Sequence, residues 1–471
     1  MKIEQMTPMA NFTQLVTVRV LSVMYLMWGL QVGVASAQTQ TNWGKYLNTD
    51  LDASHYLQTI VDESAGLVEL PAGTLHLEHA IQVDLARTGF RELRGSTATR
   101  IIKTTPGPAF EVIGSHFRSA DPEGFAEQVW DRERMPTLIG FAIEGQHPEA
   151  DGIEASGTMQ LTLSNLHLRK LRHGVRLVNN NRNLLIDACH IYENGGCGIF
   201  YDNVNLHQSN IVGCHISYCQ QGGIVARGGN VRNIHITGCD IESNMGADQD
   251  PTANILIDCR RSDYGIAEVA ITGCTIQHND AGPDSANIRM IGNSNATDDG
   301  RPRNEGHVTI TGNVLSDVHN NVWLEGCRGI TLTGNTFWMG YDYNLRLDNC
   351  SHIVMAANNF DRNPRYDYGH ARDSRNLISV KDCEDCTLAG LHVSAISGEN
   401  AAVEFSDCKR LNVSGLTILD CQFALKINSV SQSVFSGCLI NSSSDEGNRI
   451  QIRNCQNNRW DEAFDIPLVG K

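Results

Sequence analysis

Three side chains suited to recognising an acidic sugar recur at one place in a short repeated pattern. Arg289, Trp323 and Arg346 are the third residues of Asn287-Ile-Arg-Met290, Asn321-Val-Trp-Leu324 and Asn344-Leu-Arg-Leu347. An indole face stacks on the C–H face of a sugar ring, and guanidinium groups bind a carboxylate or sulfate through paired hydrogen bonds. We therefore expect Arg289 and Trp323 to bind substrate, with Arg346 beside them.

Two long segments beside this pattern, 291–307 and 361–375, add Arg303 and Tyr366 as further substrate-binding candidates. Elimination at a uronate needs a base near the C5 proton and a cation at the carboxylate, and Arg346 and His370 could contribute these groups. Hydrolysis instead needs two carboxylates roughly 5–10 Å apart. The catalytic candidates are therefore Arg346, His370, Glu404 and Asp367.

The alternative interpretation is that these residues are ordinary exterior side chains of strands. The protein would then be a non-catalytic carbohydrate-binding module or a structural surface protein. As exterior residues, Arg289, Trp323 and Arg346 are each expected to be removable at a cost of about 0.5–1 kcal/mol.

No metal site is predicted, although a divalent cation such as calcium is left open as a cofactor. His167, His190 and His215 share one position in three successive repeats, and parallel side chains one strand apart are badly placed to converge on one ion. We expect a solvated surface column. Cys383-Glu-Asp-Cys386 lacks a second cysteine pair, so its spacing is a weak indication of redox chemistry.

The elements that position these residues are repeats of an apolar-x-apolar-x-Gly-Cys/Asn-x-apolar segment. Examples are Ile234-His-Ile-Thr-Gly-Cys-Asp-Ile241 and Ile330-Thr-Leu-Thr-Gly-Asn-Thr-Phe337. Most repeats are 22 to 25 residues apart, and three steps of 33, 35 and 39 residues hold insertions. Each repeat contains three short runs with period-2 alternation, separated by Gly- and Asn-rich turns, which predicts three β-strands per coil.

On these repeats the chain resembles the right-handed parallel β-helix proteins of the pectin-lyase-like superfamily. Leu70-Pro-Ala-Gly-Thr-Leu-His-Leu77 is similar to the segment that often opens such domains. The resemblance implies an all-β, single-stranded right-handed parallel β-helix of about 12 coils and three short parallel sheets. It also implies that substrate lies along the outer face of the strand bearing Arg289, Trp323 and Arg346.

The resemblance does not select a reaction. The Asn-Thr-Asp and Gly-His-Gly signatures of polygalacturonases, the Arg-x-Pro-x-x-Arg pattern of pectate lyases and the Tyr-Gly-x-Asp-Pro-His motif of alginate epimerases are all missing. We expect a protein that binds, and cleaves or modifies, an acidic or sulfated polysaccharide by lyase or hydrolase chemistry. The alternative remains a non-catalytic β-helix.

Eleven of the 15 cysteines fall into columns of the repeat, which predicts stacked, buried and mostly free thiols. Cys239 is one of them.

The composition limits the partners and the compartment. Lys and Arg number 37 against 53 Asp and Glu, and a net charge of −16 argues against a nucleic-acid partner. Residues 1–37 combine two basic residues, an apolar run and Ala35-Ser-Ala37, the layout of a secretory signal. We expect a signal peptide at 1–37, a cap or lead-in at 38–64, the β-helix at 65–456 and a tail at 457–471. The exported protein would be periplasmic or extracellular, without a membrane span after cleavage, and its oligomeric state is left open.

Overall fold

The computed structural model describes residues 43–119, 124–279, 281–298, 300–365, 367, 371–441 and 449–461. The expected signal peptide therefore lies outside the described residues. The described part contains no helix that is both long enough and apolar enough to cross a membrane.

The chain winds into a parallel β-helix whose successive coils stack three sheets, here called sheets I, II and III. Every pairing between the described strands of successive coils is parallel, and one antiparallel hairpin, Asn293–Asp298 with Arg301–Asn304, stands apart. Two long strands, Val175–Asp187 and Val314–Glu325, bend from one sheet into another.

Sheet I consists of Leu67–Glu69, Glu92–Arg94, Thr137–Ile139, Thr162–Ser164, the end of Val175–Asp187, Asn205–Val212, Asn230–Thr237, Ile266–Thr272, Gly306–Thr311, Arg328–Thr333, Val354–Ala356, Thr387–Ala389, Asn412–Ser414, Val434–Ser436 and Arg459–Trp460. Sheet II consists of Gly73–Leu77, Thr99–Lys103, Ala142–Gly145, His167–Arg169, His190–Tyr192, His215–Ser217, Asp240–Glu242, Thr275–Asn279, the start of Val314–Glu325, Thr336–Phe337, Asn359–Asp361, His392–Ser394, Thr417–Leu419 and Leu439–Asn441.

Sheet III consists of Ile81–Asp84, Gly107–Ile113, Ala150–Met159, the start of Val175–Asp187, Cys197–Asp202, Gly222–Arg227, Ala253–Asp258, Ala286–Ile291, the end of Val314–Glu325, Gly340–Asp348, Leu377–Lys381, Val403–Ser406, Phe423–Asn428 and Arg449–Arg453. The described residues thus form more coils than the dozen expected, because the first coils lack the Gly-Cys/Asn turn used to count them. The last strand, Arg459–Trp460, lies inside the segment expected to be a tail.

The helices are few and short. They are the 3-10 turns Trp43–Lys45 and Ala371–Asp373 and the α-helices Ser54–Glu63, Leu85–Thr88 and Glu127–Arg132. Leu57 and Val61 of the first α-helix are fully buried in the same core as the first coils. This helix therefore covers the amino-terminal end of the apolar interior.

Alternation of side chains along each strand builds the interior. For example, Ile234, Ile236 and Ile241 are at most 2% exposed, whereas His235, Thr237 and Asp240 are exposed. Gly238 and Gly273 end the sheet I strands with φ of 60° and 63°. A β-carbon there would meet nothing, so the positive φ alone explains the glycine.

Polar ladders run along the inside of the coils. The side-chain amides of Asn254, Asn287, Asn321 and Asn344, all fully buried, donate each to the next through N–O distances of 2.7–2.8 Å. Such a ladder satisfies buried amides with one another and ties four successive sheet III strands together. The recurrence of asparagine in the sequence pattern therefore reflects the stacking of amides.

The cysteines lie in similar columns. All 15 are unpaired and 13 are buried. Cys189, Cys214, Cys239 and Cys274 follow one another on successive coils, and the Cys274 amide donates to Asn313 Oδ1 at 2.9 Å, where an asparagine column continues the line. Free, stacked thiols were expected from the sequence, and the structure has them.

Candidate functional site

The outer face of sheet III carries the predicted column of exterior residues. Strand register places Leu256, Arg289, Trp323 and Arg346 directly opposite one another on four successive coils. Ser379 and Glu404 continue the column on the next two coils. The order deduced from the repeats is therefore confirmed, and Arg289 and Arg346 flank Trp323.

The two arginines enclose the indole. The guanidinium carbons of Arg289 and Arg346 lie 3.9 Å and 4.1 Å from the ring centroid of Trp323. Because the arginines approach from the coils on either side, both faces of the ring are covered by cations. Only 8% of Trp323 is exposed.

This packing corrects two expectations about Trp323. Its faces are closed by Arg289 and Arg346, so the ring is not placed to stack on a sugar. A residue so well buried is also not removable at the small cost expected of an exterior side chain. Trp323 instead holds the two arginines in place.

A second outward column lies two residues further along the same strands, where alternation again points side chains outward. It contains Asp258, Ile291, Glu325 and Asp348 in register. Asp348 Oδ2 accepts hydrogen bonds from Trp323 Nε1 at 3.0 Å and from Arg346 Nε at 2.7 Å. The carboxylate of Asp348 therefore orients the cation–indole group.

A cavity of about 550 Å³ opens beside Arg289 on this face. Leu256 and Ile291 contribute apolar walls, and the remaining lining residues are Arg227, Gly228, Asp250, Pro251, Asp258, Arg260, Arg261 and Arg289. Four arginines and two aspartates thus line one cavity of a protein with net charge −16. Such a concentration of cations attracts anions.

The arginines of this cavity differ in how well they are paired. Arg260 Nε and Nη2 donate to the two oxygens of Asp258 at 2.9 Å and 2.7 Å. Arg289 reaches Glu325 only at 3.9 Å, and its buried Nε has no hydrogen-bond acceptor. Burial lowers the pKa of Arg289, which shows that its guanidinium has lost solvation.

Irregular segments flank the cavity on both sides of sheet III. Asp250 and Pro251 belong to the long connection that leads from sheet II into the strand Ala253–Asp258. Arg260 and Arg261 follow that strand, and their loop is tied to the hairpin by the Asn295 amide, which donates to the Ser262 carbonyl at 2.8 Å. Extra length in the repeat therefore builds walls around the sheet III face, as the sequence indicated.

The other predicted site residues are not all gathered at this face. Glu404 lies in the outward column but forms an ion pair with Lys426 at 2.7 Å. Asp367 pairs with Arg372, which lowers the pKa of the Asp367 carboxyl. Arg303 belongs to the hairpin. Tyr366 and His370 lie outside the described residues, so their candidate roles stay predictions.

Sequence reasoning missed Arg227, Asp258, Glu325 and Asp348. The available signal was the second outward position of each sheet III strand, two residues after the position that was analysed. Arg227 and Asp258 are opposite one another at that position, at the mouth of the cavity.

The histidine column behaves as a surface feature. His167, His190 and His215 lie opposite one another on sheet II, and Tyr192 Oη is 2.7 Å from His215 Nδ1. Among the described residues, the one close group of three ligand-type side chains is Asp52, Glu78 and His79, near the amino-terminal end. It is far along the chain from the sheet III cavity.

Comparison with known proteins identifies two family models that match the chain. A model described as the right-handed beta helix region matches residues 142–280, and one described as periplasmic copper-binding protein (NosD) matches residues 267–461. A search of curated proteins finds no match.

Solved structures share the fold at low sequence identity. A mutant tailspike protein of Escherichia coli bacteriophage HK620 in complex with pentasaccharide is 11% identical with a TM-score of 0.50, covering 86% of this chain and 75% of its own. Tailspike protein 3 of bacteriophage CBA120 is 14% identical with a TM-score of 0.47, covering 91% of this chain. The chain spans only 62% of that tailspike.

A mannuronan C-5 epimerase module, AlgE4 of Azotobacter vinelandii, is 12% identical with a TM-score of 0.40 and covers 86% of this chain and 96% of its own. At such identities the likeness concerns the fold alone.

The described residues of 267–461 do not fit a copper site. The thiols of Cys350, Cys383 and Cys408 donate to backbone carbonyls. The neighbouring thiols of the column, together with burial, raise the pKa of these three cysteines far above the usual thiol range. Copper binds the thiolate, so protonated interior thiols are poor ligands. The single close group of ligand-type residues described above lies outside this range.

The parallel strand register, the stacked ladders and the matching family model agree on the architecture. The chain is a right-handed parallel β-helix repeat protein, as its resemblance to the pectin-lyase-like superfamily implied.

Proposed function

We propose that the protein is an exported β-helix that binds an acidic polysaccharide along the outer face of sheet III. The observation that carries this proposal is the arginine-lined cavity beside Arg289, since it concentrates cations in a protein that is acidic as a whole. Exposed arginines are common on protein surfaces, but Arg289 is largely buried and its Nε has no hydrogen-bond acceptor. An anionic ligand in the cavity would pair with the guanidinium charge, which Glu325 reaches only at 3.9 Å.

The groove also has the form that a chain-like ligand requires. The outward column repeats once per coil, about 4.8 Å apart, so a long ligand could contact several coils. Arg346 extends the cationic stretch past Trp323, and Asp348 keeps its guanidinium oriented. An extended anionic polymer fits this arrangement better than a small anion alone.

Two further observations support the proposed compartment and ligand class. The amino-terminal 37 residues have the layout of a secretory signal, and the NosD family is described as periplasmic. The HK620 tailspike of the same fold is described in complex with an oligosaccharide. We therefore place the protein in the periplasm or outside the cell, where polysaccharides are accessible.

Binding tests this proposal directly. The mature protein should bind uronate-containing or sulfated glycans and not a neutral glucan, measured by calorimetry. Affinity should fall as salt is raised, because screening weakens exposed ion pairs. Arg169→Ala on sheet II, remote from the groove, is the matched control and should leave binding unchanged. Equal binding of neutral and acidic glycans would contradict the proposal.

Cleavage of the bound chain is a second candidate function. It is favoured by Glu325 and Asp348, two outward carboxylates on adjacent coils beside Arg289 and Arg346. Adjacent coils place carboxylates about 5 Å apart, the separation used by retaining glycoside hydrolases. Incubation with the best-bound glycan should release reducing ends, and Glu325→Gln should abolish the release while binding persists. Absence of both new reducing ends and unsaturated products would leave a binding protein.

A further inference from the structure

We infer that the cavity beside Arg289 recognises a sulfate or phosphate ester on the glycan, in preference to a uronate carboxylate. This inference rests on the proposed function and goes beyond it by naming the charged group. Two observations support it. Several arginines of the cavity have N–H groups that no described protein group accepts from, and these arginines belong to different strands and loops.

Three arginines of the cavity retain donors that no protein group uses. Arg260 is satisfied by Asp258. The side chains of Arg227 and Arg261 form no hydrogen bond or ion pair with any described residue. Arg289 packs on Trp323, and its one ion pair with a described residue is the 3.9 Å contact to Glu325. The aspartates of the lining therefore neutralise one arginine well and leave the other three available.

These three arginines come from three separate places. Arg227 ends the strand Gly222–Arg227, Arg289 is central in Ala286–Ile291, and Arg261 belongs to the loop between Asp258 and Ile266. They therefore line the cavity from two strands that are two coils apart and from one loop.

The number of acceptor oxygens distinguishes the two kinds of anion. A carboxylate has two oxygens in one plane, and a single guanidinium fork satisfies both. A sulfate or phosphate ester has three terminal oxygens arranged as a tetrahedral face, which can accept from guanidiniums on several sides. Arginines from two strands and a loop therefore fit the three non-coplanar oxygens of an ester better than the two coplanar oxygens of a carboxylate.

The apolar walls of the cavity strengthen the attraction between its arginines and an anion. Leu256 is 3% exposed and belongs to a small apolar cluster with Val225, Cys197 and Ala253 below the cavity. Low-polarity walls reduce the screening of the arginines by water. A volume of about 550 Å³ also accommodates one sugar residue with its substituent.

The test compares ligands that differ only in the anionic group. The mature protein is titrated by calorimetry with a sulfated, a phosphorylated and a uronate oligosaccharide of similar length, and with inorganic sulfate and phosphate alone. We expect an ester oligosaccharide to bind at least tenfold more tightly than the uronate. A phosphate ester gains charge near pH 6, so tighter binding at pH 8 than at pH 5 identifies phosphate, and a flat profile identifies sulfate.

Variants assign the effect to the cavity. Arg227→Ala combined with Arg261→Ala should weaken ester binding by ten- to a hundredfold, and the matched lysine double variant should recover only part of it, since lysine keeps the charge and loses the fork. Arg289 is left intact because its packing on Trp323 makes loss of folding a risk. Arg410→Ala, a surface arginine paired with Asp385, is the control and should bind as the wild type does.

The outcomes separate this inference from the proposed function. If ester and uronate chains bind equally well and the double alanine variant weakens both, the acidic-glycan function stands and the ester preference is overturned. If inorganic sulfate or phosphate binds as tightly as the ester glycan, the cavity is a site for a free anion and the inference also fails. If no acidic glycan binds, both proposals fail.

Discussion

At the scale of single residues, the site is organised around an indole that contacts protein cations. Trp323 lies between Arg289 and Arg346, and its Nε1 bonds to the carboxylate of Asp348. A flexible arginine side chain loses considerable entropy when it is held in one position. The ring lowers that loss at the moment of ligand binding, because both guanidiniums are already oriented by it.

Replacing Trp323 should therefore affect folding and binding together. Trp323→Ala should lower the free energy of unfolding by about 3 kcal/mol, since it removes a large buried side chain and one hydrogen bond. Trp323→Phe keeps a ring between the arginines and should cost about half as much. Urea denaturation followed by circular dichroism measures both, with Tyr264→Ala, at 64% exposed, as the neutral control. A loss below 0.5 kcal/mol for Trp323→Ala would mean that the enclosed ring contributes little to stability.

At the scale of elements, the ladders set the register on which the column depends. Asn321 donates to Asn344 Oδ1 at 2.7 Å and to the Trp338 carbonyl at 3.1 Å, and it accepts from Asn287. In these three strands the ladder asparagine lies two residues before Arg289, Trp323 or Arg346. The interior amides therefore align the exterior arginines.

Interrupting this ladder should destabilise the coils around the site. Asn321→Ala leaves the amide of Asn287 and the carbonyl of Trp338 without their buried partner, so unfolding should become easier by about 2–4 kcal/mol. Asn412, exposed on the strand Asn412–Ser414, offers the matched comparison, and Asn412→Ala should change stability by less than about 0.5 kcal/mol. Urea titrations of the two variants measure the difference, and equal effects would show that the ladder has no special role.

The register of the strands can be predicted from the sequence, because equivalent residues of successive repeats lie on successive coils. The recurrence of the same short pattern at Asn287, Asn321 and Asn344 predicts that the third residues of its copies lie on successive coils, and the strand register confirms this. The cavity could not be predicted in the same way, since Arg261 sits in an irregular loop whose path follows no repeat. The burial of Trp323 was also missed, because alternation shows which face a residue occupies and not what its neighbours do there.

At the scale of the whole molecule, each coil contacts mainly the coils before and after it. Stability in such proteins is close to a sum of contributions from neighbouring repeats, so unfolding can start at an end or at a weak coil. The cysteines can be used to follow unfolding along the chain, because they are distributed from Cys189 to Cys455 and 13 of them are buried. Burial also raises the pKa of their thiols, for example to about 12 for Cys197 and Cys219.

Thiol reactivity should therefore measure how cooperatively the molecule unfolds. In the native protein we expect fast reaction of at most Cys438 and Cys455, which are partly exposed at the carboxyl-terminal end, because the other thiols are both inaccessible and protonated. In denaturant without reductant all 15 should react, since none is paired.

Mass spectrometry of alkylated protein at increasing urea shows the order in which the cysteines become exposed. We expect Cys189 to Cys274 to be labelled at the same urea concentration as Cys327 to Cys408, because a single apolar core spans both groups. Such joint labelling would mean that the coils unfold as one unit. Labelling of one group at a clearly lower urea concentration would show that the β-helix unfolds in independent parts. Fewer than 15 reactive thiols after denaturation would contradict the finding that the cysteines are unpaired.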